Sequence, residues 1–232
     1  QARQTSGTHL SIATQLPPLK ELRVWRFGMY YYFVFGGFVA LALWLPKYYV
    51  GEYGMDLKTA SLITMCFTLP SGLIRALGGW MADKYGARNV NWGVFWICLA
   101  CLFVVSYPKT TYIVEGISGN HQATFGIDVW SFTALIFVIG IAMGIGKASV
   151  YRIIHDYYPS NMGSVGGMVG VIGGLGGFTL PIFFGLASDL LDIRSSCFML
   201  LFGVVAICMI SMNVAIRNLR RARGKELEIN VA

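Results

Sequence analysis

Of 232 residues, 56% are hydrophobic and only 12% are charged, and the mean hydropathy is +0.61. These values exclude an ordinary water-soluble domain and define a polytopic membrane protein. The net charge of +7 calls for no nucleic-acid partner, because its basic residues flank the apolar runs as membrane topology requires.

Six apolar runs, each long enough at about 20 residues to cross a hydrocarbon core of about 30 Å, are predicted at 25–49, 60–82, 90–107, 130–154, 163–186 and 195–216. All six are expected to be α-helices, since lipid leaves no water for unpaired backbone groups. Arg3, Lys20, Arg23, Arg26, Lys84, Arg88, Arg152, Arg217, Arg220, Arg221, Arg223 and Lys225 fall on one side. Only Lys47, Lys58, Lys109 and Arg194 fall on the other. Excess Lys and Arg marks the cytoplasmic side, so both termini of this segment are assigned to the cytoplasm, with a cytoplasmic linker at 1–24, a six-helix bundle at 25–216 and a cytoplasmic tail at 217–232. A cytoplasmic (inner) membrane is the expected location.

The lead contains Pro17 and Pro18 and no apolar run of the kind a targeting signal carries. Together with the start at Gln1, it reads as a linker cut open, making this the second half of a longer protein. In the first span Tyr31 and Phe35 lie four residues apart, on one helical face, ahead of Gly36 and Gly37. The second span contains one charge, Arg75. A buried arginine costs roughly 2.5–3.5 kcal/mol on insertion scales and usually faces a cavity or a partner. No predicted span has an interior Asp or Glu, so its counter-charge is expected from a missing part of the protein or from a bound anion.

Gly78 and Gly79 are expected to close that helix, and Gly79, Asp83, Lys84, Gly86 and Arg88 form G-x-x-x-D-K-x-G-x-R. In this pattern Gly79 would admit a neighbouring helix, Asp83 would accept from a helix amino terminus or from Arg88, and Gly86 would allow a tight turn. In the fourth span, G-I-G-K-A-S-V-Y-R places Lys147 inside the apolar run. Either it is a titratable amine placed to respond to substrate or proton, or its stem snorkels towards the interface near Arg152. His155 and Asp156 read as interfacial residues. The fifth span runs G-G-M-V-G-V-I-G-G-L-G-G-F-T-L-P from Gly166 to Pro181. Gly166, Gly170 and Gly174 make successive four-residue steps, Gly173 and Gly177 make another beside them, and Pro181 marks a kink; such stripes let backbones approach closely. Cys66, Cys98, Cys101, Cys197 and Cys208 all lie within spans and are expected only to pack. His9, His121 and His155 lie outside or at the margins, so neither a metal site nor a cofactor is expected.

The loop 79–88 resembles the signature loop of the major facilitator superfamily, in which it acts as a cytoplasmic conformational latch. Six spans with this loop between the second and third match half of a twelve-helix facilitator, and here would be helices seven to twelve. The expected fold class is therefore an all-α membrane protein, six transmembrane helices forming the carboxyl-terminal half of such a transporter. The run Gly166 to Pro181 resembles the glycine-rich nitrate signature of the nitrate/nitrite porter family. The arrangement R-x-x-G-G-x-x-x-D-K-x-G from Arg75 to Gly86 resembles the same family's eighth helix.

The resemblance implies that Arg75 binds the nitrate oxygens, that Tyr31 donates a hydrogen bond, that Phe35 forms a wall, and that Gly170, Gly173, Gly174 and Gly177 line the path. A guanidinium is a planar, permanently charged fork suited to two oxygens of a flat anion. Arg75 pairing with a carboxylate of the missing half is the open alternative. Lys147 resembles the branch of the family in which nitrate enters with protons. The expected function is nitrate/nitrite transport by alternating access, with nitrate uptake coupled to protons. The amino-terminal six-helix half and the lipid bilayer are the partners. Nitrate/nitrite exchange, a facilitator for another small anion such as a carboxylate, and a structural or sensor subunit are the alternatives. No nucleophile with an adjacent base supports an enzyme.

Overall fold

A computed structural model describes residues 20–116 and 119–229. Most of the linker expected at 1–24 lies outside the described residues, as do the side chains of Arg220, Arg223 and Lys225 in the tail. Six membrane-length helices are present: α1 Leu22–Tyr53, α2 Leu57–Tyr85, α3 Ala87–Ser106, α4 Val129–Tyr157, α5 Met162–Leu191 and α6 Ser196–Ile229. The protein is a multi-pass integral membrane protein.

Helix ends follow from local chemistry. Asp56 caps α2 by accepting from the Thr59 backbone N–H at 3.0 Å, and Asp128 caps α4 by accepting from Trp130 and Ser131, both at 3.1 Å. Gly78 and Gly79 do not end α2 as expected, because a membrane helix tolerates small residues where another helix packs on them. The helix runs on to Tyr85 and stops at Gly86, whose φ of +84° suits only a residue without a Cβ. The last helix likewise continues past 216 to Ile229.

Two features were not anticipated. A π-helical turn, Tyr32–Gly37, interrupts the α1 hydrogen-bond ladder, an irregularity that often marks functional segments. A hairpin fills the α3–α4 connection, with β1 Thr110–Gly116 antiparallel to β2 Gly119–Phe125, in register from Thr110↔Phe125 to Gly116↔Gly119.

Helix α4 is the centre of the bundle, packed against α2 and α3, while α5 packs on α1 and α6 on α3. Two crossings are made by glycine. On α4, a Cβ at Gly140 would lie 2.7 Å from the Phe67 carbonyl oxygen, and one at Gly144 would lie 2.6 Å from that of Ser71. From the facing side, a Cβ at Gly78 would lie 2.7 Å from the Ile145 Cα, whereas Gly79 has open space around it. Within this six-helix unit the close approach is therefore at Gly78. The second crossing joins α1 to α5, where a Cβ at Gly36 would lie 2.7 Å from both the Gly173 oxygen and the Gly176 Cα. The buried Ser149 shares its one hydroxyl hydrogen between the Asn91 side-chain oxygen at 3.1 Å and the Gly146 carbonyl at 3.0 Å.

Candidate functional site

Helix periodicity places Ser71 and Arg75 one turn apart on one face of α2, and Lys147 and Tyr151 one turn apart on one face of α4. The α2–α4 glycine crossing brings these faces together. Lys147 is buried, at 5% exposure, and does not snorkel to the interface. Its ammonium donates to the Ser71 hydroxyl at 3.1 Å and sits 3.2 Å from the centroid of the Phe38 ring, a cation–π contact, while Phe38 stacks on Phe67 at 4.9 Å. The ammonium therefore has a hydroxyl and a ring as partners in place of water.

Arg75 is exposed on the surface of this six-helix unit. Among the described residues it has no carboxylate partner. It lies one turn from Ser71 on the same face of α2, and Ser71 accepts from the Lys147 ammonium, so both basic groups sit at the α2–α4 crossing. Two like charges thus share one region of the membrane, with no acidic group among the described residues between them. Such a region is electrostatically incomplete without an anion or a carboxylate from elsewhere.

Tyr31 and Phe35 come together as a parallel stack, with ring centroids 5.1 Å apart and planes 6° from parallel. Tyr151 meets Tyr31 edge-on at 5.0 Å and 80°, and donates to the Gly166 carbonyl at 3.2 Å. The aromatic stack needs the bare backbone of α5. A Cβ at Gly173 would run into the Tyr31 ring, and one at Gly170 would lie 3.2 Å from the Tyr151 hydroxyl. Gly177 faces Val39, with a Cβ there at 3.1 Å. Gly174 is exposed, with nothing within 4 Å of its Cβ position. The close step on α5 is therefore Gly173 and Gly176, whereas Gly174 points away from α1.

Ser71, Phe38, Tyr151 and Gly176 were not singled out in the sequence. Two of them had a legible signal: Ser71 precedes Arg75, and Tyr151 follows Lys147, by the four residues that stack side chains on one helical face.

At the basic end, Asp83 pairs with Arg152 at 2.9 Å, not with Arg88 or a helix terminus. Arg88 instead donates to the Tyr157 hydroxyl. Lys84 lies over Trp80 at 4.9 Å, and Arg152 also reaches Asp156 at 3.6 Å. The α2–α3 turn is thus tied to the end of α4 at two points, one from each flanking helix. His155 and Asp156 occupy the last turn of α4 and are exposed.

Residues 31–228 match the family described as Major Facilitator Superfamily, and the chain belongs to that superfamily. It is 41% identical over 216 residues, 92% of its length and 48% of the relative's, to a probable nitrate/nitrite antiporter, NarK1, of Thermus thermophilus. It is 28% identical to a nitrite extrusion protein of Bacillus subtilis (78% of this chain, 41% of the relative), and 29% identical to a probable nitrate transporter, NarT, of Staphylococcus haemolyticus (84% and 47%). The chain spans about half the length of these curated relatives. The crystal structure of tetrameric PepTSo2 shares the fold, with a TM-score of 0.64 at 13% identity over 86% of this chain and 40% of that one.

Proposed function

We propose that this chain forms the carboxyl-terminal half of a nitrate/nitrite transporter, in which the anion binds beside Arg75 at the interface with a second six-helix half. The observation that carries this reading is an exposed Arg75 one helical turn from Ser71, which accepts from the buried Lys147, with no carboxylate paired to either among the described residues and an aromatic stack held nearby against bare glycine backbone. The guanidinium offers two parallel donors to a flat anion, the Tyr31 hydroxyl offers a third, and the Tyr31–Phe35 stack bounds the plane in which the anion lies. The glycine face of α5 seats the aromatic stack directly against its backbone.

Proton coupling follows from the same charges. A proton on Lys147 and an anion beside Arg75 favour each other by charge attraction, and that mutual preference is the thermodynamic requirement for moving them together. The Asp83–Arg152 pair and the Arg88–Tyr157 hydrogen bond would act as the latch, breaking and reforming as the two halves rock about the central site. Exchange of nitrate for nitrite is the second reading, favoured by the name of the Thermus thermophilus relative, a probable nitrate/nitrite antiporter.

The test is nitrate uptake into proteoliposomes by the full-length protein and its Arg75→Lys and Lys147→Ala forms, at two pH gradients and with nitrite inside. Loss of uptake in Arg75→Lys, where charge remains but the fork is gone, supports bidentate binding; normal uptake removes Arg75 from the site. Uptake that needs the proton gradient in the wild type but not in Lys147→Ala supports symport. Dependence on internal nitrite alone makes the protein an exchanger.

A further inference from the structure

A second cationic site lies at the opposite end of α1 from the hairpin. The amino-terminal end of α1, the start of α3, the end of α4 and the later turns of α6 enclose a cavity of about 210 Å³. Three guanidiniums line it, Arg23 and Arg26 from α1 and Arg88 from α3, over an apolar floor that includes Phe27 and Met212. Tyr157 organises this cluster: Arg23 lies 4.7 Å and Arg88 5.8 Å from its ring centroid, and its hydroxyl accepts from Arg88. No carboxylate lines the cavity among the described residues.

No ion pair among the described residues joins Arg23, Arg26 or Arg88 to a carboxylate. Glu21 accepts from Tyr158, and Asp83 and Asp156 both pair with Arg152. Residues 1–19 contain no Asp or Glu. Three arginines converging from two helices without a counter-charge repel one another. Their geometry suits an anion with several oxygens, because each guanidinium presents a fork of donors that a tetrahedral phosphate can accept from in more than one direction.

We propose that this cavity is a phosphate-binding site, taking either the phosphodiester of an anionic lipid or a free phosphate, and separate from the region around Arg75. Its apolar floor suits the glycerol and first methylenes of a lipid, and its place at the basic end of the bundle is where anionic headgroups concentrate. Because Arg88 opens α3 two residues after the Gly86 turn, an occupant also ties α1 and α6 to the same turn that Asp83 and Arg152 hold.

The experiment is native mass spectrometry of the full-length protein in a neutral detergent, titrated with phosphatidylglycerol or phosphatidylcholine, with and without millimolar inorganic phosphate. The wild type should retain phosphatidylglycerol in preference to phosphatidylcholine. An Arg26→Gln/Arg88→Gln form should retain it about tenfold less, the loss expected of charge-assisted hydrogen bonds. Arg217→Gln, which removes an exposed arginine outside the cavity, should retain it as the wild type does. Displacement by inorganic phosphate assigns the site to the free anion, and resistance to it assigns the site to the lipid headgroup. Should the double variant not fold, Arg23→Gln, whose side chain is exposed, supplies the same comparison. Equal retention by the cavity variants and Arg217→Gln overturns the proposal.

Discussion

Adding one methyl group at Gly36 tests the view that bare backbone between α1 and α5 sets the aromatic stack. In Gly36→Ala the new Cβ would stand 2.7 Å from the Gly173 carbonyl oxygen and from the Gly176 Cα. Carbon contacts settle at about 3.5–4.0 Å, so the helices must part by about 1 Å. Neither obstacle is the flexible end of a side chain; both are backbone of a helix held on its other faces. Overpacking of this kind costs typically 1–3 kcal/mol. Replacing a helical glycine by alanine returns about 0.5–1 kcal/mol, leaving a net loss of about 0–2.5 kcal/mol. The same displacement moves Gly173 off the Tyr31 ring and loosens the Tyr31–Phe35 stack. Gly203→Ala on α6 is the control, because nothing lies within 4 Å of its Cβ position. Thermal unfolding and nitrate binding of the full-length protein in detergent should show Gly36→Ala melting several degrees below Gly203→Ala and binding nitrate more weakly. If the two variants melt together and bind alike, the glycine crossing does not set the site.

Ser71→Ala leaves Lys147 with the Phe38 ring alone and should cost about 1–3 kcal/mol, since a buried charged donor loses its acceptor; adding Lys147→Met should recover most of that stability, as a double-mutant cycle of unfolding would record. Asp83→Asn should leave the melting temperature nearly unchanged, because its pair with Arg152 is 62% and 41% exposed at the two side chains and such pairs contribute about 0–1 kcal/mol; uptake rate should change, and Arg152→Gln should add little further. The Asp56 and Asp128 carboxyls are held below the ordinary carboxylate range by hydrogen bonds from Thr59 and from Ser131, side chain first and backbone second. A lowered folded-state value gives stability that is present above the unfolded pKa and lost as pH falls through the folded one. Acid should therefore destabilise the amino-terminal ends of α2 and α4, seen as faster amide exchange there, and Asp56→Asn with Asp128→Asn should flatten that pH dependence.

The fold was legible because a lipid environment leaves few choices: apolar runs of spanning length must be helices, and their number with the 79–88 loop pointed to half a facilitator. Boundaries were less legible, since glycine, which ends helices in water, packs them in a membrane. Gly78 and Gly79 were expected to stop α2, yet the helix runs through both, and Gly78 makes a close approach to Ile145. The sign of Arg75 and Lys147 and their place within apolar runs could be read directly. Their partners could not, because a hydrogen bond such as Lys147 to Ser71 spans 76 residues and depends on the rotation of two helices about their axes. The π-turn at Tyr32–Gly37 was also not legible; it contains Gly36, which packs against the α5 backbone.

The position of the two glycine crossings explains why the candidate site can be both rigid and incomplete. One crossing fixes α2 against α4, and with it Ser71, Arg75 and Lys147; the other fixes α1 against α5, and with it Tyr31, Phe35 and the Gly173 backbone. Tyr151 joins the two pairs, since it extends from α4 to the Tyr31 ring and to the Gly166 carbonyl. Each group is thereby held to within the fit of close-packed backbones, which suits recognition of an ion as small as nitrate. Arg75 alone among them remains exposed at the surface of the unit, the surface at which a second half would meet this one. A guanidinium anchored on a rigid frame but left open on one side can be covered or uncovered by movement of the opposing half, without rearrangement of its own.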